Sequence, residues 1–418
     1  MSALESLNFF KSDLLLGGLI LVAVAVLLAL PLLYALDRKG FARALTDPTR
    51  LGYAVLAFLG AVVVLAAFLG KLAGSANLPL YGRFVGAGYH LLLLANLFVY
   101  APALLTAVLP KAGAVALAAY REGWRQPLFW LLMIFGLLAT WISVVLPYFT
   151  FGDDFKMMKQ IGFDIIMFVS LLFGALAAST SIAEEIEGRT AITVMSKPIN
   201  RRSFLIGKFL GILMACAAMS LVLQVNLNFA LIVTPEFDPI NLDRAFDPMP
   251  ETAKEWTVPA VQRLLPNGPA RLAGEGIGKW IGEAFVASFG ILLGFGQVMI
   301  LVAIATALAT RLPFVVNLVV VLFVYFFGHL APVIVRVTDK AGADRSTGEG
   351  LVRFLAKLFD TLLPSLEFFN MGPAIIRDTS LDLWAFVIYV VTVFLYSLLY
   401  TVIALIVGLL LFEDRDLA

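Results

Sequence analysis

Residues 383–412 read LWAFVIYVVTVFLYSLLYTVIALIVGLLLF, and these thirty positions contain no Asp, Glu, Lys or Arg. A helix needs about 20 apolar residues to cross roughly 30 Å of bilayer hydrocarbon, so this run is long enough to span a membrane. Barrel strands would be about half as long and would alternate polar with apolar residues. Eight further charge-poor runs precede it: 14–36, 51–70, 84–110, 126–152, 165–183, 209–235, 284–310 and 312–335. The sequence therefore predicts an all-α, polytopic membrane protein with about nine transmembrane helices.

The composition of the 418-residue chain agrees with this prediction, because 61% of the residues are hydrophobic and only 14% are charged. A soluble domain carries roughly 25% charged residues, so a soluble globular protein is excluded. The net charge of +1 gives no attraction to nucleic acid, and the expected surroundings are a lipid bilayer. The single cysteine, Cys216, lies inside an apolar run, which excludes disulfides and cysteine metal clusters. The first run is too long for the core of a signal peptide, and we expect a retained helix.

Basic residues in the short loops predict the orientation of the chain in the membrane. The loops 37–50, 111–125 and 184–208 contain four, three and five Lys or Arg residues, whereas the alternate short segments contain few. We therefore expect the N-terminus outside and the C-terminus in the cytoplasm of a bacterial inner (plasma) membrane. The two long loops 236–283 and 336–382 then lie outside.

The spans divide unevenly around the basic stretch 111–125. Three precede it, in a region 1–110 to which the sequence assigns no role, and six follow it within 111–418. Leu117, Tyr120 and Trp124 recur at i, i+3 and i+7 and share one helical face. This spacing predicts a helix in the inner membrane interface with its aromatic side chains at headgroup depth. An ordinary basic loop is the alternative.

The segment 184–208, between the fifth and sixth spans, has the most informative pattern. Three glutamates can extend the fifth helix beyond the membrane, Gly188 can end it, and Pro198 interrupts a second short helix. Asn200 is a candidate N-cap for the sixth span. Within the short piece, Ile192, Met195 and Ile199 form an apolar edge. The pattern favours a compact cytoplasmic projection that receives force from a soluble partner, and the alternative is a solvated loop.

The order of motifs in this segment is Glu184-Glu185-x-Glu187-Gly-x-Thr190, Ser196-Lys197-Pro198, Arg201 or Arg202, and Gly207-Lys208-x-x-Gly211. It resembles the first cytoplasmic loop of ABC exporter permeases of the second type (ABC-2-like). The closest resemblance is to the branch that includes permeases associated with maturation of copper enzymes. Tyr120-Arg121-Glu122-x-x-Arg125-x-Pro127, Thr310-Arg311-Leu-Pro313 and Phe412-Glu-Asp-Arg415 are similar to other parts of that family, so the resemblance covers about 112–418.

The resemblance implies a six-helix exporter domain that forms a homodimer or a pseudo-symmetric dimer of membrane domains. It also implies a separate cytoplasmic ABC ATPase subunit that binds Mg-ATP, with no cofactor on this chain. The residues expected to contact or shape the contact with that ATPase are Glu184, Glu185, Glu187, Gly188, Arg189, Thr190, Ile192, Met195, Lys197, Pro198 and Arg201.

The chain offers little support for chemistry of its own. Its nearest match to a phosphate-binding loop, Gly274-Glu-Gly276-Ile-Gly278-Lys279-Trp280, has the wrong spacing and no hydroxyl for magnesium. The two histidines, His90 and His329, do not form an H-E-x-x-H zinc motif, and we expect both to be helix-packing residues rather than metal ligands. We therefore predict a transport subunit rather than an enzyme, without a catalytic or metal site.

Uncharged polar residues inside the spans are the candidates for a transport pathway: Gln224, Asn228, Gln297 and Asn317. Hydrogen bonds between helices are the alternative role. No charged residue occupies the middle of a run, which argues against a carrier driven by protons or sodium. An ATP-independent carrier or channel is still the second hypothesis, and an intramembrane enzyme is the third. In the outer segment 336–382, leucines 351, 355, 358 and 362 predict an amphipathic interfacial helix.

Overall fold

The computed structural model describes residues 12–145, 154–187, 200–233, 251–340, 347–370 and 383–413. These residues form helices joined by short turns and bends, without a strand among them. Nine of these helices are long and apolar enough to cross a membrane. The all-α, polytopic fold with nine spans is thereby confirmed, and the protein is an integral membrane protein.

The helices follow one another along the chain, with the spans interrupted by shorter amphipathic helices. They are α1 (Ser12–Leu36), α2 (Arg38–Thr46), α3 (Pro48–Lys71), α4 (Leu78–Val108), α5 (Pro110–Arg125), α6 (Pro127–Val145), α7 (Asp154–Glu187), α8 (Arg201–Val233), α9 (Glu251–Leu264), α10 (Pro269–Leu308), α11 (Phe314–Lys340), α12 (Thr347–Leu362), the 3-10 helix η1 (Leu366–Phe369) and α13 (Leu383–Glu413).

The chain forms two compact units, one comprising 1–103 and 244–287 and the other 104–243 and 288–418. The first unit thus contains part of the long segment 236–283 as well as the three N-terminal spans. This grouping differs from a linear boundary at residue 110, which separates the N-terminal spans from everything that follows.

Within the first unit, α4 is held to α1 by three side chains that donate hydrogen bonds to backbone carbonyl groups. The Tyr89 hydroxyl lies 2.7 Å from the oxygen of Leu21, Asn96 Nδ2 lies 2.8 Å from that of Leu28, and the Tyr100 hydroxyl lies 2.7 Å from that of Pro31. The spacing of these donors places them along one side of α4. Polar side chains therefore hold these two apolar helices together, as is common where helices associate in lipid.

The second unit has a buried apolar cluster at one end, formed by Val115, Ile182, Phe204, Ala309 and Phe412. The first belongs to α5, the next two to α7 and α8, Ala309 directly follows α10, and the last belongs to α13. Five separate parts of the chain therefore converge here. In the predicted topology this is the cytoplasmic end of the unit.

The prolines of the segment 236–283 favour an irregular cap, but the part of this segment that the structure describes is largely helical. Its described part contains α9 and the first residues of α10. Pro266 lies in the turn between the two helices, and Pro269 is the first residue of α10, where its fixed φ suits a helix start. Only Pro259 lies inside a described helix of this segment. Of these three prolines, Pro266 and Pro269 thus lie at the boundary between two helices, and Pro259 lies within a helix that continues past it.

The amphipathic helix predicted in the segment 336–382 is present as α12. Its leucine stripe is exposed, with 60% of Leu351 and 66% of Leu362 accessible, which suits contact with lipid. Its attachment to the protein is aromatic, because the Phe359 ring lies 5.9 Å from the ring of Phe323 and 4.9 Å from that of Phe327 on α11. The helix is thus fixed to α11 while its leucines face outward.

Candidate functional site

The predicted coupling segment lies between α7 and α8. Glu184, Glu185 and Glu187 belong to the last described turn of α7, and Gly188, which is predicted to end this helix, lies outside the described residues. The rest of the predicted contact lies outside the described residues: Gly188, Arg189, Thr190, Ile192, Met195, Lys197 and Pro198. The chain is described again from Asn200, whose Oδ1 accepts a hydrogen bond of 2.9 Å from the backbone N–H of Ser203. The predicted N-cap of α8 is therefore confirmed.

Lys208, seven residues after the start of α8, lies at the centre of a buried polar cluster. Its Nζ lies 2.6 Å from Glu185 Oε1, 2.8 Å from Ser181 Oγ and 3.2 Å from Glu122 Oε2. Glu185 and Ser181 belong to α7 and Glu122 to α5. We call these four residues the Lys208 cluster. A single ammonium group thus joins three helices.

The burial of Lys208 and its three contacts make the Lys208 cluster a strong constraint on how α5, α7 and α8 pack together. Only 4% of Lys208 is exposed, and its three donors have three different acceptors. The Ser181 hydroxyl accepts from Lys208 and lies 3.3 Å from Glu122 Oε1, to which it donates. Removing one partner of a buried ion pair leaves an uncompensated charge, which costs about 3–5 kcal/mol. The side chains of Glu122 and Glu185 are 43% and 28% exposed, so we expect the lower end of that range.

Two arginines fix the end of the last helix, α13, close to the Lys208 cluster. Arg201 donates from Nη1 to the carbonyl oxygens of Phe412 at 2.9 Å and Glu413 at 2.7 Å. Arg311, which follows α10, donates from Nε to the carbonyl oxygen of Leu411 at 2.8 Å. The last carbonyl groups of a helix lack partners within it and carry partial negative charge, so cationic donors stabilise them. Arg201 therefore contacts α13 within the protein.

Close packing of α5 against α8 brings Glu122 within reach of Lys208. A Cβ atom at Gly207 would lie 2.6 Å from the carbonyl oxygen of Ala112, and one at Gly211 would lie 2.4 Å from that of Ala116. Both distances are shorter than a carbon atom can tolerate. Glycines four residues apart on α8 thus allow the backbone of α5 to lie directly against it, as small residues do in membrane helix pairs.

The aromatic face of α5 is turned into the protein more than its sequence predicts. Tyr120 is only 8% exposed, and its ring lies 6.0 Å from that of Trp124. Trp124 in turn lies 4.9 Å from the ring of Phe129 on α6. Burial raises the pKa of the Tyr120 phenol, against a smaller lowering by its hydrogen bond with Trp124, so the hydroxyl is neutral at physiological pH. These rings thus pack against each other and against α6, and the depth of the helix in the membrane stays a prediction.

The four candidate pathway residues are all buried and separate into two groups. Asn317 and Gln224 bond to other parts of the unit: Asn317 Nδ2 lies 2.9 Å from both Ser179 Oγ and the Ala305 carbonyl oxygen, and Gln224 Nε2 lies 3.1 Å from Ser288 Oγ. These contacts correspond to the alternative role as interhelical hydrogen bonds. The second group consists of Asn228, which is 2% exposed, and Gln297, which lines a cavity of about 270 Å³.

Lys208 and Glu122 belong to motifs of the sequence, but the sequence does not identify them as site residues. The same is true of Ser181, which belongs to none of these motifs. One feature of the sequence could have identified Lys208. It lies well inside a predicted helix and is followed by apolar residues, and a lysine in such a position requires a buried partner. Asp164 was also missed, because it lies one residue before the run 165–183. The span itself extends over Met157–Ile182 and therefore includes Asp164. The partners of these residues lie far away in the sequence, so spacing alone does not reveal them.

A family model described as ABC-2 family transporter protein matches residues 142–417, about two thirds of the chain. The matched region begins near the end of α6 and includes both α7 and α8, with the segment between them. No match was found among curated proteins or among solved structures.

Proposed function

Because the chain belongs to the ABC-2 transporter family and is a permease component of that class, we propose that it is the membrane subunit of an ATP-driven exporter. A separate cytoplasmic ATPase would bind and hydrolyse Mg-ATP, and this chain would move the cargo. The proposal includes a dimer of membrane domains, in a bacterial inner membrane, with the N-terminus outside and the C-terminus in the cytoplasm.

The Lys208 cluster is the observation that carries the proposal. Its contacts with Glu185 and Ser181 lie in the last turns of α7, and Lys208 itself lies two turns into α8. These are the two helices between which the predicted coupling segment is inserted. A push on that segment therefore reaches α7 and α8 as a joined pair, and it also reaches α5 through Glu122.

Arg201 extends this connection to the last span. It is the first residue of α8 and bonds to the final carbonyl groups of α13. A displacement at the start of α8 would thus move the end of α13. We propose that Arg201 acts in this way, within the membrane subunit, while Glu184, Glu187 and the residues of 188–198 form the surface for the ATPase.

The energy for transport would come from the ATPase. A partner can shift the equilibrium between two states of the membrane subunit only by the difference between its affinities for them. ATP binding that closes two ATPase subunits would favour one arrangement of the coupling segments, and hydrolysis would release it. The buried ion pairs would keep α5, α7 and α8 in a fixed relation during this change.

The finer placement near the permeases associated with maturation of copper enzymes is supported by the order of motifs in the segment 184–208. We propose membership of that branch without a copper site on this chain. No group of three or more His, Cys, Asp or Glu side chains suited to a metal ion occurs among the described residues. Deletion of the gene should lower the activity of a copper enzyme in the host, and unchanged activity of all copper enzymes would contradict the placement.

The test of the proposed function is gentle purification from the native membrane, with mass spectrometry of the co-purifying proteins and an assay of Mg-ATP hydrolysis. We expect a soluble ATPase in a fixed ratio to this chain. Glu187→Lys should remove that ATPase or its activity, because the substitution reverses a charge on the proposed contact. Asp13→Lys, a charge reversal at an exposed residue of α1, is the matched control and should leave the complex intact.

The Lys208→Met variant tests whether binding of the ATPase and the transmission of its motion through the membrane subunit depend on different residues. The ATPase should still bind, since Lys208 is buried, but hydrolysis should no longer respond to the membrane subunit. Stable purification of this chain alone, with ATP-independent flux in liposomes, would contradict the proposal and establish the carrier or channel instead.

A further inference from the structure

A second polar site lies in the same unit, toward the opposite ends of its helices from the Lys208 cluster. It is the cavity of about 270 Å³, whose lining includes Asp164, Gln297, Tyr325 and His329. Asp164 lies 23 residues before Glu187 along α7, or about 35 Å at 1.5 Å per residue. In the predicted topology the cavity is therefore near the outer face of the membrane.

The cavity connects an accessible carboxylate to a buried carboxamide. Asp164 is exposed, whereas Gln297 is only 7% exposed. Gln297 Oε1 has no hydrogen-bond partner among the described residues, although it is buried. An unpaired buried acceptor costs about 1–3 kcal/mol, so a rotation of this side chain that turns Oε1 into the cavity would be favoured by a ligand that donates to it.

His329 adds a second acceptor. Its Nδ1 lies 2.9 Å from the backbone carbonyl oxygen of Tyr325. A carbonyl oxygen only accepts, so Nδ1 carries the proton, and Nε2 of the neutral imidazole is left as an acceptor. The polar side chains of the lining are thus the carboxylate of Asp164, the carboxamides of Gln297 and Asn370, the imidazole of His329 and the phenol of Tyr325, and the described residues that line it include no lysine or arginine.

Aromatic side chains complete the lining. Phe163, Tyr325 and Phe369 contribute to the wall, and Phe369 is only 2% exposed. Aromatic faces attract organic cations, particularly where water is excluded. A divalent metal ion fits less well, because Asp164 and His329 are the only lining residues among the described ones with side chains of the usual metal-ligating types.

We propose that this cavity binds a small organic ammonium group, with Asp164 as counter-ion and with Gln297 and His329 accepting its N–H donors. Such a group can be a free amine or the ethanolamine headgroup of a phospholipid. The site is independent of the ATPase contact, so it stands or falls separately from the proposed function.

The test uses the purified full chain. Equilibrium dialysis with labelled ethanolamine measures binding of the free amine, and native mass spectrometry of the chain in mixed phosphatidylethanolamine and phosphatidylglycerol measures retention of each lipid. Ethylene glycol, which has a similar size but no ammonium group, is the competitor control. We expect saturable binding of ethanolamine, selective retention of phosphatidylethanolamine, or both, and no competition by ethylene glycol.

Two variants identify the site. Asp164→Asn should weaken binding about tenfold or more, because it removes the charge from a charge-assisted hydrogen bond. Gln297→Met keeps the side-chain length and removes the acceptor, and it should also weaken binding. Asp360→Asn, at an exposed carboxylate of α12, is the matched control and should bind as the unmodified chain does.

Three results would overturn the proposal. One is the absence of binding in both assays, and another is equal retention of the two lipids without ethanolamine binding. The third is unchanged binding in both Asp164→Asn and Gln297→Met when each elutes as a folded protein. Selective retention of phosphatidylethanolamine without binding of free ethanolamine would support the proposal and identify the lipid as the source.

Discussion

Lys208 is charged and nearly inaccessible, within a helix that otherwise consists largely of apolar residues after its first two turns. Its position is tolerable because two carboxylates and a hydroxyl from other helices surround its ammonium group. The cluster as a whole carries one surplus negative charge, since it has two glutamates and one lysine. Lys208 therefore stabilises the packing of the three helices, and its positive charge allows the two neighbouring glutamates to lie close together.

Substitution of this lysine gives the first prediction at the residue scale. Lys208→Met should lower the free energy of unfolding by about 3 kcal/mol, because it leaves two carboxylates facing each other without a cation. Titration of the purified protein with a denaturing detergent, followed by circular dichroism, measures the change. Lys39→Met, at an exposed lysine of α2, is the control and should change stability by less than about 0.5 kcal/mol.

Double-mutant cycles give the second prediction. The coupling energy between Lys208 and Glu185 should exceed that between Lys208 and Glu122, because the Glu185 side chain is less exposed and its oxygen lies closer to Nζ. Glu185→Gln and Glu122→Gln, each alone and combined with Lys208→Met, supply the cycles. Equal and negligible coupling energies would mean that the cluster does not hold the helices together.

At the scale of elements, the relation between α5 and α8 depends on two glycines. Gly207 and Gly211 face the carbonyl oxygens of Ala112 and Ala116, and no other residue is small enough for these distances. The α5 helix, which carries Glu122, precedes the region 142–417 that matches the ABC-2 family model. Its close packing and its ion pair with Lys208 thus depend on each other.

Alanine at Gly211 is the test of this packing. Gly211→Ala should destabilise the protein and weaken the Glu122 contact, because α5 must move away to make room for the new methyl group. Gly60→Ala is the matched control in α3, where a Cβ atom would meet nothing within 4 Å. It should stabilise the protein by up to about 1 kcal/mol, the usual preference of a helix for alanine over glycine. Thermal unfolding of both variants in detergent measures the contrast, and a stabilising Gly211→Ala would contradict the packing.

At the scale of the whole molecule, the orientation in the membrane decides which site meets the ATPase and which meets the outer face. The excess of basic residues in 37–50, 111–125 and 184–208 predicts that these loops are cytoplasmic. The Lys208 cluster and the arginines at the end of α13 then lie on the cytoplasmic side, and the cavity at Asp164 lies on the outer side.

Cysteine labelling tests this orientation. Cys216 is buried and is the single cysteine of the chain, so it provides a background without labelling. In intact cells, an impermeant maleimide should label Ala76→Cys, in the turn between α3 and α4, and should not label Ala42→Cys in α2. Permeabilised cells should show labelling of both. The reverse pattern would place the Lys208 cluster outside and would exclude its role toward a cytoplasmic ATPase.

The sequence determined the number of spans, the N-cap at Asn200 and the family, because each of these depends on local composition or on motif order. It determined the limits of the spans less well, since the run 165–183 begins eight residues after the start of the span Met157–Ile182. A run such as 383–412 favours a membrane helix, because its apolar side chains avoid water and because its backbone groups, which find no partners in lipid, are satisfied within a helix. The amphipathic helices α5 and α12 were also predictable from periodicity.

The tertiary structure alone decided which polar residues meet. Glu122, Ser181 and Lys208 come from three helices, and Asp164, Gln297 and His329 also come from three. A single sequence contains no information on which faces of apolar helices pack together, because lipid and protein interiors are almost equally apolar. The two sites therefore became visible only once packing had brought charges and acceptors separated by tens of residues within hydrogen-bonding distance or around one cavity.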